Sequence, residues 1–187
     1  MTATTYNGDL RTVVAGTPTG TGIAGADAKC MADSMKPVTP TGAIYKAMLV
    51  DGTNRRACTT ANCAPAAPGV GLLEQIDWVL RPNVTYTRAD AVTPIFTADW
   101  NGVYSIGSVV GSGFVNSISG GQFFSGMQTN WTTNSTNNCT SWTLSSGSAA
   151  MGSGSIILLD TVNLWNPIGS TGGNGCNTAF PLACVEQ

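Results

Sequence analysis

Gly175-Cys176-Asn177-Thr178-Ala179-Phe180-Pro181-Leu182-Ala183-Cys184-Val185-Glu186 precedes the last residue, Gln187, and holds two of the six cysteines of the chain. The other four are Cys30, Cys58, Cys63 and Cys139. An even number of cysteines, the absence of histidine and the lack of a repeated CxxC spacing favour disulfides over a thiolate zinc site. Cys58 and Cys63 are close enough in sequence to pair with each other. For the remaining four cysteines, the sequence alone leaves the pairing open.

The composition predicts a single domain, 1–187, with a polar but weakly charged surface. Hydrophobic residues make up 42% of the 187 residues and charged residues only 10%, where about a quarter is usual. A net charge of -2 without a basic run argues against a nucleic-acid partner. No stretch has the length of apolar sequence that a membrane span needs, so we expect no direct membrane span.

The cysteines also predict where the protein resides. Disulfides require an oxidising compartment, which indicates an extracellular or cell-surface protein, with a virion as the other possibility. The first residues lack the apolar core of a secretion signal. A signal is therefore expected to be absent or trimmed from this chain.

The first part of the chain predicts a strand, a helix and a core strand. Segment 1–21 is expected to form a strand and a loop, with Arg11–Ala15 as an edge strand beside the C-terminal strand. Ile44–Val50 is apolar apart from one lysine and predicts a core strand. Between them, small and apolar residues recur at helical spacing and predict a helix with a buried face. That face holds Ala24, Ala28, Met31, Ala32 and Met35.

The second part predicts short strands and long loops. The apolar residues of Leu72–Leu80 fit a helical face that Pro82 ends better than they fit alternation, with a strand across Ile76–Leu80 as the alternative. The segment 127–138 is rich in Asn and Thr and is predicted to be a surface loop. Further strands are expected at Phe123-Phe124, Cys139–Leu144 and Ile156–Leu159.

Several motifs occur in a fixed order along the chain: GIAGADAKC (22–30), GAIYKAMLV (42–50), FFSGM (123–127), NCTSW (138–142) and the terminal C-x7-C followed by Val-Glu. They resemble endostatin. With VDGTNRRACTTANC (50–63) and IDWVLRPNVTY (76–86), the chain is more similar still to the leptospiral endostatin-like surface proteins. The resemblance covers 22–187 and implies a C-type-lectin-like α+β fold: a mixed, mostly antiparallel sheet with one or two helices, long loops and disulfides.

The resemblance also implies the remaining disulfides. It pairs Cys30 with Cys184 and Cys139 with Cys176. In the chain-entropy model, these two loops contribute about 5 and about 4 kcal/mol, against about 2 kcal/mol for Cys58 with Cys63. In lectin-like folds the stretch between the two inner cysteines builds the ligand face, which here is 140–175.

The tryptophans and asparagines supply the candidates for a ligand surface. Trp78, Trp142 and Trp165 lie in apolar runs or beside a disulfide, which favours the core. Trp100 and Trp131 are flanked by small polar residues, so exposure is as compatible as burial. Including the stretch between the inner cysteines, the candidates are Trp100, Trp131, Asn134, Trp165, Asn166 and Asn174. Four asparagines head N-x-Ser/Thr triplets: Asn83, Asn130, Asn134 and Asn138.

The acidic and basic residues predict a protein without enzymatic activity. Enzyme chemistry at neutral pH depends on histidine, paired carboxylates, or an activated cysteine or lysine. This chain has no histidine and few carboxylates, and its cysteines are expected to be oxidised. We therefore predict no catalytic residue. Each of the following is expected to begin a helix, close a turn or face solvent: Asp27, Asp33, Asp77, Asp90, Asp99 and Asp160.

Metal and polyanion sites of the related proteins are not expected here. The calcium site of C-type lectins needs an acidic residue where Pro167 follows Trp165-Asn166. The zinc site of endostatin depends on histidines, and its heparin affinity depends on clustered arginines. Arg55-Arg56 is the only adjacent basic pair and is predicted to be solvated on a disulfide-closed loop. We predict no metal and no cofactor.

Three functions are compatible with these features. The resemblance favours an extracellular, non-enzymatic binding module, adhesin-like, for a host matrix component or serum protein. The alternative is a structural subunit of an extracellular filament, sheath or virion, whose partners are copies of itself, because few charges must be desolvated when it packs. The third is a calcium-independent lectin that stacks a glycan on Trp131 or Trp165.

Overall fold

The structure is a computed structural model and describes residues 1–38, 41–64, 69–104, 122–153 and 175–187. The predicted strand Ile156–Leu159 lies outside these residues. Within them the fold is α+β and rich in disulfides. The strands are β1 (Thr12–Val14), β2 (Thr17–Thr19), β3 (Tyr45–Ala47), β4 (Thr85–Thr87), β5 (Pro94–Thr97), β6 (Gln122–Phe124), β7 (Met151–Ser153) and β8 (Cys184–Glu186). The helices are α1 (Gly22–Ala32), the 3-10 helices Ala61–Cys63 and Val70–Glu74, and the short turn Cys139–Trp142.

The strands pair as four antiparallel ribbons: β1 with β2, β3 with β8, β4 with β5, and β6 with β7. The predicted core strand Ile44–Val50 is confirmed in part, because β3 covers its middle and Met48, Leu49 and Val50 are fully buried. Pairing with β8 joins this segment to the C-terminal stretch. The predicted strand at Phe123-Phe124 is confirmed as part of β6.

The N-terminal strand does not lie beside the C-terminal strand, so that prediction is wrong. Instead β1 folds back on β2 through a two-residue turn, in which Ala15 and Gly16 have φ of 50° and 81°. All six strand residues of this hairpin are exposed. It is the preceding segment that runs along the C-terminal stretch, where the Tyr6 and Phe180 amides each donate to the other residue's carbonyl at 2.9 and 2.8 Å.

Helix α1 begins where the Thr21 hydroxyl accepts the Ala24 amide at 3.1 Å, which satisfies one of the unpaired N–H groups of the first turn. The predicted buried face is wrong, since Ala24, Ala28, Met31, Ala32 and Met35 are all exposed. The helix packs instead through Ile23, Ala26, Cys30 and two glycines. A Cβ on Gly25 would lie 2.0 Å from the Leu10 carbonyl oxygen, so the absence of a side chain lets two backbones touch.

The predicted helix Leu72–Leu80 is also wrong beyond its first residues. A 3-10 helix covers Val70–Glu74 and ends at Gln75, which is extended. Ile76 pairs with Arg56 through two backbone hydrogen bonds of 2.9 and 3.0 Å. Leu73 therefore stays in solvent while Val79 and Leu80 reach the core.

The segment Cys139–Trp142 is a left-handed turn rather than the predicted strand. Its four residues have φ of 51°, 54°, 57° and 63°. Such residues cost roughly 1–2 kcal/mol each when they carry a side chain. The fully buried Trp142 holds the turn, and its indole N–H donates to the Val50 carbonyl at 2.8 Å. Gly22 lies so close that a Cβ there would be 2.4 Å from the Trp142 carbonyl oxygen.

Three disulfides join these elements: Cys30–Cys184, Cys58–Cys63 and Cys139–Cys176. This is the pairing that the resemblance implies. The first and the last lie in one apolar cluster with Trp142, whereas Cys58–Cys63 lies in a second cluster around Trp131. Bonds of this kind persist in oxidising compartments. Among the described residues, no helix has the length and apolarity needed to cross a membrane.

Candidate binding surface

Trp100 is the sequence-predicted candidate that the structure places in solvent, with 54% of its surface exposed. It follows Asp99, whose carboxylate accepts the Asn101 and Val103 amides at 2.8 and 3.2 Å and so closes a turn. Asn101 is buried and fixes this turn to the neighbouring segments. Its side chain accepts the Gly71 amide at 3.2 Å and donates to the Cys63 carbonyl at 3.1 Å. The exposed indole therefore stands on an anchored turn.

Further apolar side chains are exposed on the segments bonded to this turn. Leu73 has 85% of its surface exposed and lies in the same 3-10 helix as Gly71. Val84 is bonded to the segment that leads into the turn, because its carbonyl accepts the amide of Ala98, two residues before Trp100, at 2.9 Å. We call the exposed set the Trp100 surface: Val70, Leu72, Leu73, Val84 and Trp100. These five residues are defined as one set because their segments are hydrogen-bonded to the Trp100 turn, and exposed apolar patches are typical of contact sites in soluble proteins.

Glu74 ties the same 3-10 helix to the disulfide-closed loop. Its carboxylate accepts the backbone amides of Thr59 and Thr60 at 2.6 and 2.7 Å and the hydroxyls of both at 2.8 and 2.6 Å. Burial alone would raise the pKa of Glu74, but these hydrogen bonds outweigh it and lower the pKa to about 2. The helix that carries Leu72 and Leu73 is thus held at its C-terminal end.

The low pKa of Glu74 makes its contribution to stability depend on pH. Because the folded pKa of about 2 lies below the ordinary 4.5, the contribution is complete above pH 4.5 and is lost as the pH falls through 2. We expect Glu74→Gln to lower the free energy of unfolding at pH 7 by on the order of 1 kcal/mol, since solvent screens a partly exposed carboxylate. Denaturant titrations of both proteins between pH 7 and 2 should converge at low pH. A difference in the free energy of unfolding between the two proteins that stays constant from pH 7 to pH 2 would contradict the low pKa of Glu74.

Arg55 is fully buried, so the prediction that it is solvated is wrong. Its Nη1 donates to Asp27 Oδ1 at 2.9 Å and to the Ala47 carbonyl at 2.7 Å. Its Nη2 donates to Asp27 Oδ2 at 2.7 Å and to Asp77 Oδ2 at 2.5 Å, and its Nε donates to the Asp77 carbonyl at 2.8 Å. Lys46 forms a further ion pair with Asp77. Every N–H of the guanidinium thereby has a protein acceptor.

The electrostatics of this cluster favour the charged forms of Arg55 and Asp77. Burial disfavours the Arg55 cation, yet Asp27 and Asp77 outweigh it and raise the pKa of Arg55. Burial likewise opposes the Asp77 carboxylate, while Lys46 and Arg55 together lower the pKa of Asp77. The cluster joins α1, β3 and the segment that follows the 3-10 helix Val70–Glu74. Since its donors are used within the protein, it is a structural element of the fold.

Trp131 and Asn134 are not surface residues, so their placement on a ligand face is wrong. Trp131 is 1% exposed, and its indole N–H donates to the Tyr104 carbonyl at 3.2 Å. Asn134 is 8% exposed, and its side-chain oxygen accepts the Thr136 and Asn137 amides at 3.3 and 3.2 Å. The loop 127–138 folds inward at these two residues because both polar groups find partners there.

The other predictions about site residues have mixed outcomes. Trp142 is in the core as predicted, whereas Trp78 is half-buried and donates its indole N–H to the Gly102 carbonyl at 2.7 Å. Trp165, Asn166 and Asn174 lie outside the described residues. In the part of the chain that is described, no group of three or more His, Cys, Asp or Glu residues is placed to hold a metal ion.

Comparison with known proteins identifies one family. The model of the family described as Protein of unknown function (DUF1554) matches residues 12–157, which is well over half of the chain. The match spans the β1–β2 hairpin, α1, the Arg55 cluster and the Trp100 surface. No curated protein and no solved structure matches the chain. The chain therefore belongs to the family of proteins of unknown function DUF1554.

Proposed function

We propose that this protein is an extracellular, non-enzymatic binding module on a C-type-lectin-like scaffold, and that it binds a host matrix component or serum protein through the Trp100 surface. The observation that carries the proposal is the exposed indole on an anchored turn, with exposed leucines and valines on the segments that are hydrogen-bonded to that turn. Tryptophan is among the residues most enriched at binding hot spots. A site that is already rigid loses little conformational entropy when the partner docks.

The remaining support comes from the scaffold. The nested bonds Cys30–Cys184 and Cys139–Cys176 follow the order expected for the C-type-lectin-like fold and suit a protein that works outside the cell. The chain has no histidine, and the buried Arg55 is hydrogen-bonded to the carboxylates of Asp27 and Asp77. Few groups are therefore available for acid–base catalysis. A surface of low charge also favours a protein partner over a polyanion.

We expect Trp100→Ala to weaken binding at least tenfold without changing the melting temperature. A hot-spot tryptophan contributes about 2 kcal/mol or more to a complex, and its loss from an exposed position costs the fold little. The test is to screen immobilised matrix and serum proteins with the wild type and to measure dissociation constants for each ligand found. Val13→Ala, on the exposed hairpin, is the matched control. Equal affinities for the wild type and the Trp100 variant would remove the Trp100 surface from the proposal.

A second function, a subunit of an extracellular assembly, is favoured by the β1–β2 hairpin. Its six strand residues are exposed, and a strand of another copy can add to an open edge. In the register Val13↔Pro18, the proline lies on the outer edge of β2, where it has no N–H to donate. Only the β1 edge is thus suited to pairing. Light scattering of the purified, oxidised protein decides: a stable monomer favours the binding module, and ordered polymers favour the assembly.

The third function, a calcium-independent lectin, required a glycan to stack on Trp131 or Trp165, and the first of these is not accessible. Trp131 is buried and cannot stack on a glycan without unfolding its surroundings. Trp165 lies outside the described residues. No contact in the described part of the chain favours a sugar ligand over a protein.

A further inference from the structure

The chain contains four N-x-Ser/Thr triplets, headed by Asn83, Asn130, Asn134 and Asn138, and the structure describes all four asparagines. Such a triplet accepts an N-linked sugar only where its asparagine amide reaches solvent and the transferring enzyme. The four can therefore be separated by burial and by the hydrogen bonds of their side chains.

Asn134 and Asn138 are closed to modification in the folded protein, with 8% and 6% of their surface exposed. The Asn134 side-chain oxygen closes its turn, and that of Asn138 accepts the Ser141 amide at 3.1 Å at the start of the left-handed turn. A sugar on the amide nitrogen of either residue would have to occupy the packed interior. At Asn138 it would also disturb the turn that begins at Cys139.

Asn130 is half-buried and is held by its own triplet. Its side-chain oxygen accepts the Thr132 amide at 3.2 Å and the Thr132 hydroxyl at 2.7 Å. Its carbonyl accepts the Asn62 amide at 2.7 Å, which fixes it against the Cys58–Cys63 loop. The next residue is the buried Trp131. An enzyme would have to pull this segment away from the core to reach the amide.

Asn83 differs in each respect. It is exposed, directly follows Pro82, and has a φ of 57°, which asparagine tolerates well in turns. Its backbone is fixed, because its amide donates to the Asp99 carbonyl at 3.1 Å. Its side-chain amide forms no hydrogen bond with the described residues. We propose that Asn83 is the residue at which this protein, once folded, accepts an N-linked sugar.

The sugar donor is an activated glycosyl diphosphate. The Asn83 side-chain nitrogen attacks the anomeric carbon of the sugar and forms the new C–N bond. The bond from that carbon to the diphosphate oxygen breaks, the diphosphate leaves with the electron pair, and the amide nitrogen loses one proton. With UDP-glucose as the donor, the products are the glucosylated protein and UDP.

The test uses the oxidised, folded protein with UDP-glucose and a soluble N-glycosyltransferase that recognises N-x-Ser/Thr. Peptide mass spectrometry is expected to find one hexose, on Asn83, and none in the Asn83→Gln variant. The same chain, reduced, alkylated and unfolded, is expected to accept sugar at further triplets, which shows that folding protects them. A hexose on Asn130, Asn134 or Asn138 of the folded protein, or an unmodified Asn83, overturns the assignment.

A sugar at Asn83 also bears on binding, and this consequence rests on the proposed function. The backbone bond from Asn83 to Asp99 places the sugar next to the Trp100 turn. A glycan extended enzymatically from the glucose on Asn83 of the folded protein is expected to weaken ligand binding at least tenfold, and enzymatic removal of the glycan is expected to restore it. Mass spectrometry tests whether Asn83 is modified, and the dissociation constant of the ligand tests whether the Trp100 surface binds it. If Asn83 is modified and binding is unchanged, only the role of the Trp100 surface fails.

Discussion

Replacing both Cys30 and Cys184 by alanine is expected to lower the free energy of unfolding by about 5 kcal/mol. The bond joins α1 to β8 across 154 positions of sequence, so its loss restores much chain entropy to the unfolded state. Because small proteins are stable by only about 5–15 kcal/mol, this single change removes a large share of the total. Urea titrations of the oxidised wild type and the double variant measure the difference.

The matched control is the Cys58→Ala/Cys63→Ala variant. It removes a bond that spans only 5 positions and is expected to cost about 2 kcal/mol. Both variants keep the other disulfides, which peptide mapping must verify before the titrations are compared. Equal losses for the long and the short bond would contradict the entropic account of the stability.

Arg55→Leu is expected to cost about 3 kcal/mol, the low end of the range for breaking a buried ion pair by removing one partner, because Asp27 and Asp77 are partly exposed. The substitution leaves the Asp27 and Asp77 carboxylates and the Ala47 carbonyl without the donor that they share. Lys46 still neutralises part of the charge on Asp77, but it does not reach Asp27 in the described structure. Thermal and urea unfolding of the variant measure the loss.

A matched control and a combined variant show whether charge is the cause. Arg81→Leu changes an exposed arginine and is expected to stay within about 0.5 kcal/mol of the wild type. Adding Asp27→Asn and Asp77→Asn to Arg55→Leu removes the uncompensated charges, so the triple variant is expected to be more stable than Arg55→Leu alone. If it is less stable, the cost of Arg55→Leu arises from lost packing and not from the stranded carboxylates.

The sequence predicted correctly those parts of the fold in which neighbouring residues alone determine the structure. The run Ile44–Val50 is apolar apart from Lys46, and β3 and the buried residues Met48, Leu49 and Val50 are found there, although Ile44 is exposed. Cys58 and Cys63 are too close in sequence for their pairing to depend on the rest of the fold. The long bonds needed the resemblance, because the distance between Cys30 and Cys184 is set by the whole fold.

The errors concern residues whose surroundings come from distant segments. Arg55 has the local sequence of a solvated arginine, and only the convergence of Asp27 and Asp77 makes its burial favourable. In α1, the spacing of alanines and methionines indicated one face, yet contact between glycine and a distant backbone selected another. No local signal distinguishes these outcomes.

The candidate site shows the same division. Trp100 and Trp131 have similar polar neighbours in sequence, yet the first stands in solvent and the second fills the core beside Tyr104 and Trp78. Their difference lies in whether the flanking turn directs the ring outward or inward, which short-range patterns do not encode. The Asn-rich loop around Trp131 was correctly predicted as a loop. Its polar composition indicated exposure of the whole loop, although Trp131 is buried.

The bond between Cys30 and Cys184 also constrains how the protein is made. A ribosome adds about 5–20 residues per second, so the Cys30 thiol waits on the order of 10–30 s until Cys184 is synthesised. During that time Cys58, Cys63, Cys139 and Cys176 are synthesised as competing partners. Rapid closure of the short Cys58–Cys63 loop withdraws two of these competitors, so the smallest disulfide protects the correct pairing of the largest during biosynthesis.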